Sequence, residues 1–136
     1  MPLADADTVA VLEALDDFGR ALEARDLERS LAQIADHPDV TIVPSEGVDV
    51  YRGRANVEAL LRYICTGPRR YGWRWKDRWV TFHGSEATLV AVGEETVDVE
   101  GSEQLAIPYC LTGTAVREGG GWRFLVLHGS EDRSGS

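Results

Sequence analysis

Near the end of the chain lies the segment that decides the fold, Trp122-Arg123-Phe124-Leu125-Val126-Leu127-His128-Gly129-Ser130. It follows the glycine-rich turn 118–121 and predicts the last strand of a sheet. Strict alternation would place one set of side chains on a single face: Trp122, Phe124, Val126, His128 and Ser130. Because both faces carry apolar residues, we expect a central strand covered on both sides, with the His128 face forming the wall of an apolar cavity.

Length and charge limit the class of protein. A chain of 136 residues predicts a single domain over 1–136, in which the polar residues 131–136 form a frayed tail. The net charge of −9 disfavours nucleic acid and anionic membrane as partners, since both attract basic surfaces. The start of the chain has neither a basic nor an apolar leader segment, so we expect a cytoplasmic protein.

The cysteines and histidines show no pattern of a metal or redox site. Cys65 and Cys110 are not in CxxC spacing, and free thiols in a reducing compartment are the expectation. No set of His, Cys, Asp and Glu has the spacing of metal ligands. We therefore expect neither a metal nor a cofactor.

Three helices are predicted in the first half of the chain. Candidate N-caps at 5–8 precede a helix with an apolar stripe, and Asp26 is expected to cap a short second helix that ends before Pro38. A third helix is expected to begin near Arg54, because an i, i+3, i+4, i+7 pattern follows it. The apolar residues with helical spacing are Val11, Leu15, Phe18 and Leu22 in the first helix, and Val57, Leu60, Leu61 and Ile64 in the third.

Strands account for the remainder. A short hairpin is expected from 40–43 and 48–52, and four long antiparallel strands from 71–83, 87–97, 107–117 and 122–130. The order of elements predicts an α+β fold, a cone-shaped barrel in which three N-terminal helices pack on a strongly curved, mostly antiparallel sheet. An internal pocket between helices and sheet is the expected ligand site.

Several local phrases support a family resemblance. The phrases are Ala24-Arg25-Asp26-Leu27, Tyr51-Arg52-Gly53-Arg54, and Gly121-Trp122-Arg123-Phe124 leading to His128-Gly129-Ser130. With the order of elements, they make the chain resemble the nuclear transport factor 2-like superfamily, and within it the SnoaL-like, polyketide cyclase-like family. The resemblance implies the cone fold, but the superfamily includes isomerases, cyclases, dehydratases and binding modules, so fold alone selects no reaction.

The ketosteroid isomerase chemistry of that superfamily requires an Asp base and a Tyr–Asp pair of oxyanion donors. By the resemblance these groups would fall at Val43, Phe18 and near Leu111, and all three are apolar here. The chain is therefore not expected to perform that isomerisation by that mechanism.

His128 and Asp77 are the candidate acid–base groups. Asp77 shares its predicted face with Trp73, Trp75 and Trp79, and an imidazole can transfer protons near neutral pH. The alternatives are a structural histidine bonded to a backbone carbonyl or to Ser130, and an aspartate in solvent or paired with an arginine. The candidate ligand-binding residues are Tyr51, Trp73, Trp75, Tyr109, Trp122, Phe124 and Ser130.

The residues thus predict a SnoaL-like protein of unassigned activity that binds a small, largely apolar, aromatic or polycyclic molecule. The alternatives are a cyclase, isomerase or dehydratase that uses His128 and Asp77 as acid–base groups, or a protein-interaction module that uses the outer sheet face. Alternation also predicts an uncovered apolar patch on the outer sheet face, where two copies would form a homodimer. This patch comprises Val90, Val92, Thr112, Thr114, Leu125 and Leu127.

Overall fold

The computed structural model describes residues 2–132 and contains three helices in that range: α1 (Pro2–Glu23), α2 (Leu27–Ala32) and α3 (Arg54–Thr66). Helix α1 already includes Pro2, so the N-cap expected at 5–8 is wrong. The cap at Asp26 is confirmed, since its carboxylate accepts a hydrogen bond of 3.0 Å from the backbone amide of Arg29. The third helix begins at Arg54, as its periodicity predicts.

Arg25 ties the turn between α1 and α2 to the end of α3. It has a positive φ of 59°. Its guanidinium donates to the carbonyl oxygens of Cys65, at 2.9 Å, and of Gly67. These carbonyls lie at the C-terminal end of α3, where helical partners run out. The three helices are therefore held together at one end.

One six-stranded sheet packs against the helices. Its strands are β1 (Thr41–Val43), β2 (Tyr51–Arg52), β3 (Arg69–His83), β4 (Glu86–Val99), β5 (Leu105–Glu118) and β6 (Gly121–Glu131), and their order is β2-β1-β6-β5-β4-β3. Strand β1 pairs with β6 in parallel and all other pairs are antiparallel. The α+β cone fold is confirmed and β6 is an interior strand, but the sheet does not close into a complete barrel, because β2 and β3 are its edges.

The core lies between the helices and the inner face of the sheet. The apolar stripes predicted for α1 and α3 are buried there: Val11 and Leu15 are fully buried, and Leu61 is 1% exposed. Phe124 of β6 is also fully buried, with its ring centroid 6.3 Å from that of Phe18. Burial of these apolar stripes holds the helices on the sheet.

A β-bulge in β6 reverses the side-chain alternation on which the sequence prediction depended. Val126 pairs with Thr114 and Phe124 pairs with Ala115, so Leu125 has no partner residue on β5. Beyond this extra residue the inward positions change. Leu127 is 2% exposed and packs in the core, whereas His128 is exposed on the outer face. The predicted facing of Val126, Leu127, His128 and Ser130 is therefore wrong.

Strand β3 contains a second bulge with the same consequence. Trp75 pairs with Gly93 and Asp77 pairs with Val92, which leaves Lys76 as the extra residue. Asp77 therefore does not continue the inner face of Trp73 and Trp75. It is exposed, so the prediction that it shares a face with these tryptophans is wrong.

The last strand extends into the tail that was predicted over 131–136. Strand β6 continues to Glu131, and the backbone amide of Asp132 donates to the carbonyl oxygen of Pro108 at 3.1 Å. Residues 133–136 of the expected tail lie outside the described residues. Within 2–132, no helix has the length and apolar character required to cross a membrane.

Candidate functional site

A cavity of about 240 Å³ lies between the inner face of the sheet and the helices α1 and α3. Its walls are mostly apolar and come from both layers: Phe18, Leu22, Ile42, Leu60, Leu61 and Leu127. The volume is just below the roughly 300–1,000 Å³ typical of drug-sized ligand sites. The cavity is therefore suited to a small molecule.

Three of the predicted ligand-binding residues line this cavity, namely Tyr51, Trp73 and Tyr109. Trp75 lies behind them, with its ring centroid 5.4 Å from that of Trp73. Trp122 and Phe124 are buried in the core and do not contribute to the wall. Ser130 is exposed on the outer face, because it follows the bulge in β6.

The structure does not bring His128 and Asp77 together in the cavity. Both are exposed, and neither lines its wall. In the register of the sheet, His128 lies beside Thr112, and Asp77 lies beside Val92, both on the outer face. The geometric basis for an acid–base pair of these two residues in the cavity is therefore lost.

The positions at which the family resemblance would place the isomerase groups do line the cavity. They are Phe18, Val43 and Leu111, which form apolar parts of the wall. None of the three can donate or accept a proton. The polar groups of the cavity therefore come from other positions.

Glu95 on β4 is the main polar residue that the sequence prediction missed. The residue is 6% exposed, and its Oε2 accepts a hydrogen bond of 3.1 Å from the indole nitrogen of Trp73. The pKa of Glu95 is raised from 4.5 to about 7, chiefly by burial. The hydrogen bond from Trp73 opposes this shift, whereas the charge of Glu131, a hydrogen bond with Glu131 and the charge of Glu46 add to it. Both protonation states of this buried carboxyl group are therefore accessible near neutral pH.

Glu131 and Ser45 extend this polar end of the cavity. Glu131 is the last residue of β6, lies opposite Tyr109 in the sheet register and lines the cavity. Its Oε1 accepts a hydrogen bond of 2.8 Å from the hydroxyl of Ser45. Two carboxyl groups from β4 and β6 thus lie near each other, which favours retention of a proton on one of them.

Tyr109 contributes a hydroxyl to the cavity wall. The residue is 8% exposed, and no hydrogen bond to its hydroxyl occurs within residues 2–132. The oxygen lies against Gly129, where a Cβ atom would come within 2.0 Å of it. Burial, and then the charge of Glu95, raises the pKa of Tyr109 well above its usual value of 10, so the group remains a neutral phenol.

The chemistry of the cavity follows from this inventory. Within the part of the chain that the structure describes, its wall includes Glu46, Glu95 and Glu131 but no Lys, Arg or His. Glu95 can accept or release a proton near neutral pH, as a general acid or base must. A sequence signal for it existed, because alternation along β4 places Leu89, Ala91 and Glu95 on one face and thus a carboxylate on an apolar face.

Comparison with solved structures supports the fold. A candidate dehydratase of the NTF2-like family from Streptomyces avermitilis is 19% identical, with a TM-score of 0.85 over 96% of this chain and 99% of that one. A candidate scytalone dehydratase from Novosphingobium aromaticivorans is 16% identical, with a TM-score of 0.81 over 93% and 85% of the two chains. A candidate aromatic ring hydroxylase from the same organism is 13% identical, with a TM-score of 0.81 over 93% and 89%.

Comparison of the sequence itself gives the family. No curated protein matches the chain significantly. Residues 11–131, which include every strand and most of α1, match the SnoaL-like domain. The chain therefore belongs to the SnoaL-like domain family, as its local phrases indicate.

Proposed function

We propose that this SnoaL-like protein binds a small, largely apolar molecule in the cavity of the cone. The observation that carries the proposal is the cavity of about 240 Å³, whose wall is mostly apolar and includes a few polar groups. Apolar walls supply affinity, and a few polar groups fix orientation, which is the usual division in small-molecule sites. The volume favours a monocyclic or bicyclic ligand over a larger polycyclic one.

Naphthylmethanol, a neutral bicyclic alcohol, is expected to bind saturably with one molecule per chain. Leu127→Trp should weaken this binding at least tenfold, since the larger side chain fills the cavity. Isothermal titration calorimetry measures both affinities. The control is Leu105→Trp, the same change at a residue that is 58% exposed. Binding that resists Leu127→Trp, or the absence of binding to the wild type, would contradict the proposal.

Proton-transfer catalysis is a second candidate function, and the environment of Glu95 favours it. A carboxyl group with a pKa of about 7 in an apolar cavity is suited to abstract or donate a proton at neutral pH. Two of the structural neighbours are named as dehydratases, and removal of water from a substrate is acid–base chemistry. The reaction class would be an elimination or isomerisation beside a carbonyl or hydroxyl group.

Exchange of the acidic α-protons of tetralone, a bicyclic ketone, is the expected sign of this activity. Proton NMR in deuterated water should show faster exchange with the wild type than with buffer. Glu95→Gln should remove most of the acceleration, because an amide cannot act as the base. Equal exchange rates for wild type and Glu95→Gln would exclude Glu95 as the base for this ketone.

We also propose a homodimer that forms through the outer sheet face. Val90, Val92, Thr112 and Thr114 lie on that face, and the exposed Trp79 adjoins Val90. Leu127 is not part of it, because it points into the core, and Leu125 lies at the bulge. A two-fold axis through this surface would place the same apolar and hydroxyl side chains of two copies against each other.

Val90→Arg is expected to convert the dimer to a monomer, because it would place an unpaired charge within the proposed interface. Sedimentation velocity at micromolar concentration measures the change. Val48→Arg is the matched control, since Val48 is 93% exposed in a loop away from this face. A monomeric wild type, or a Val90→Arg variant that remains dimeric, would refute the interface.

A further inference from the structure

We propose that Gly129 sets the size of ligand that the cavity accepts, because it lets the ring of Tyr109 lie against strand β6 instead of projecting into the cavity. The inference rests on the proposed binding function and deepens it. It makes the binding of a bicyclic ligand, and not that of a monocyclic one, depend on the missing side chain at position 129.

Gly129 and Tyr109 come from neighbouring strands, and both line the cavity. Gly129 pairs with Leu111 of β5, which lies two residues from Tyr109 and therefore on the same face of that strand. The ring of Tyr109 leans across onto β6, since a Cβ atom at position 129 would lie 2.0 Å from its hydroxyl oxygen and 2.8 Å from its Cζ. A side chain at position 129 would thus occupy the place of this ring.

A small adjustment of Tyr109 cannot relieve this overlap. Ordinary van der Waals contact with a Cβ atom begins at 3.4 Å, and the Cε1 atom of Tyr109 would also be closer than that, at 3.2 Å. Because ring carbons overlap as well as the hydroxyl oxygen, rotation of the hydroxyl hydrogen would not help. The whole ring would have to move away from β6.

The neighbours of Tyr109 determine where a displaced ring can go. Trp73 is stacked on it, with centroids 6.0 Å apart and planes 23° apart, and the ring centroid of Trp75 lies 6.2 Å away. Trp73 in turn packs closely on α1, where a Cβ atom at Gly19 would lie 3.3 Å from its Cε3. The tryptophans therefore block movement toward β3, whereas the cavity is open space beside the ring.

A ring displaced into the cavity would reduce the room for a ligand. The cavity of about 240 Å³ is already smaller than the usual small-molecule site. A bicyclic ligand fills most of such a space and tolerates little overlap, while a single ring leaves volume unused. Gly129 is therefore a specificity-determining residue, which acts through the position of Tyr109.

The experiment compares naphthylmethanol with benzyl alcohol on the full chain. Gly129→Ala is expected to weaken naphthylmethanol binding by about tenfold or more, and benzyl alcohol binding by less than about threefold. Calorimetry measures the first affinity, and chemical-shift titration by NMR measures the weaker second one. Gly121→Ala is the matched control, because it makes the same change in β6 where a Cβ atom would meet nothing within 4 Å.

Replacement of Tyr109 tests the mechanism of the effect. In a Tyr109→Leu background, Gly129→Ala should change naphthylmethanol affinity by less than about twofold, because the ring that it displaces is gone. A general loss of stability would instead persist in both backgrounds. If Gly129→Ala alone does not fold, as urea denaturation would show, the double variant should still fold and bind naphthylmethanol as Tyr109→Leu does.

The outcomes separate this inference from the proposed function. Naphthylmethanol affinity that Gly129→Ala leaves unchanged, or an equal loss for both alcohols, overturns the inference while the binding function stands. The same holds if the loss persists in the Tyr109→Leu background, or if the double variant does not fold. If neither alcohol binds the wild type, both the inference and the binding function are overturned.

Discussion

Gly93→Ala is expected to destabilise the fold by about 3 kcal/mol, the upper end of the usual range for overpacked sites. A Cβ atom on Gly93 would lie 2.1 Å from the carbonyl oxygen of Arg74 and 2.8 Å from the Cα of Trp75. Both are backbone atoms, so no side chain can move aside to make room. The added methyl group would disrupt β3 where Lys76 forms the bulge.

Urea denaturation of wild type and variant measures this loss as a lower midpoint. Gly121→Ala is the control, because a Cβ atom there would have no neighbour within 4 Å. The expected midpoint of Gly121→Ala is close to that of the wild type. Wild-type stability in Gly93→Ala would show that β3 and β4 do not approach each other this closely.

Glu95→Gln is expected to raise the free energy of unfolding at pH 8 by up to roughly 3 kcal/mol, the equivalent of a pKa shift from 4.5 to about 7. The native state binds the Glu95 proton more tightly than the unfolded state, so wild-type stability is higher below pH 4.5 and declines as pH rises through about 7. Glutamine is neutral throughout and retains an oxygen that can accept the Trp73 hydrogen bond.

Urea titrations at several pH values between 4.5 and 8 test the sign of this change in the free energy of unfolding. The free energy of unfolding of the variant should exceed that of the wild type only slightly at pH 4.5, and this excess should grow as the pH rises. Glu94→Gln, an exposed change on the same strand, is expected to show no such trend. A Glu95→Gln variant less stable than the wild type at pH 8 would mean that the buried carboxylate is well stabilised and has an ordinary pKa.

The loss of stability expected from the buried Glu95 carboxylate bears on function. A carboxylate that lowers stability at neutral pH is retained more readily where it contacts a ligand or transfers a proton, because replacement would stabilise the fold. Glu95, with Tyr109 beside the same cavity, is in this position. The predicted stabilisation of Glu95→Gln and its predicted loss of proton-exchange activity are therefore two consequences of the same environment.

Local patterns in the sequence determined most of the fold. The apolar stripes of α1 and α3 fixed their buried faces, and Asp26 fixed the start of α2, because these features depend on neighbours within a few residues. The alternation of side chains along β4 and β5 was also sufficient to assign their inner and outer faces, since no bulge interrupts the pairing between these two strands. It placed Val90 and Thr112 correctly on the outer face.

Only the tertiary structure decided which side chains beyond the two bulges face the cavity. In a bulge, two residues of one strand lie opposite one residue of the neighbouring strand. The sequence of a single strand does not show where this happens, because it depends on the pairing with the neighbour. The extra residues Lys76 and Leu125 each reverse the alternation that follows them. The reversal placed Asp77 and His128 outside, and brought Glu131 into the same cavity as Glu95.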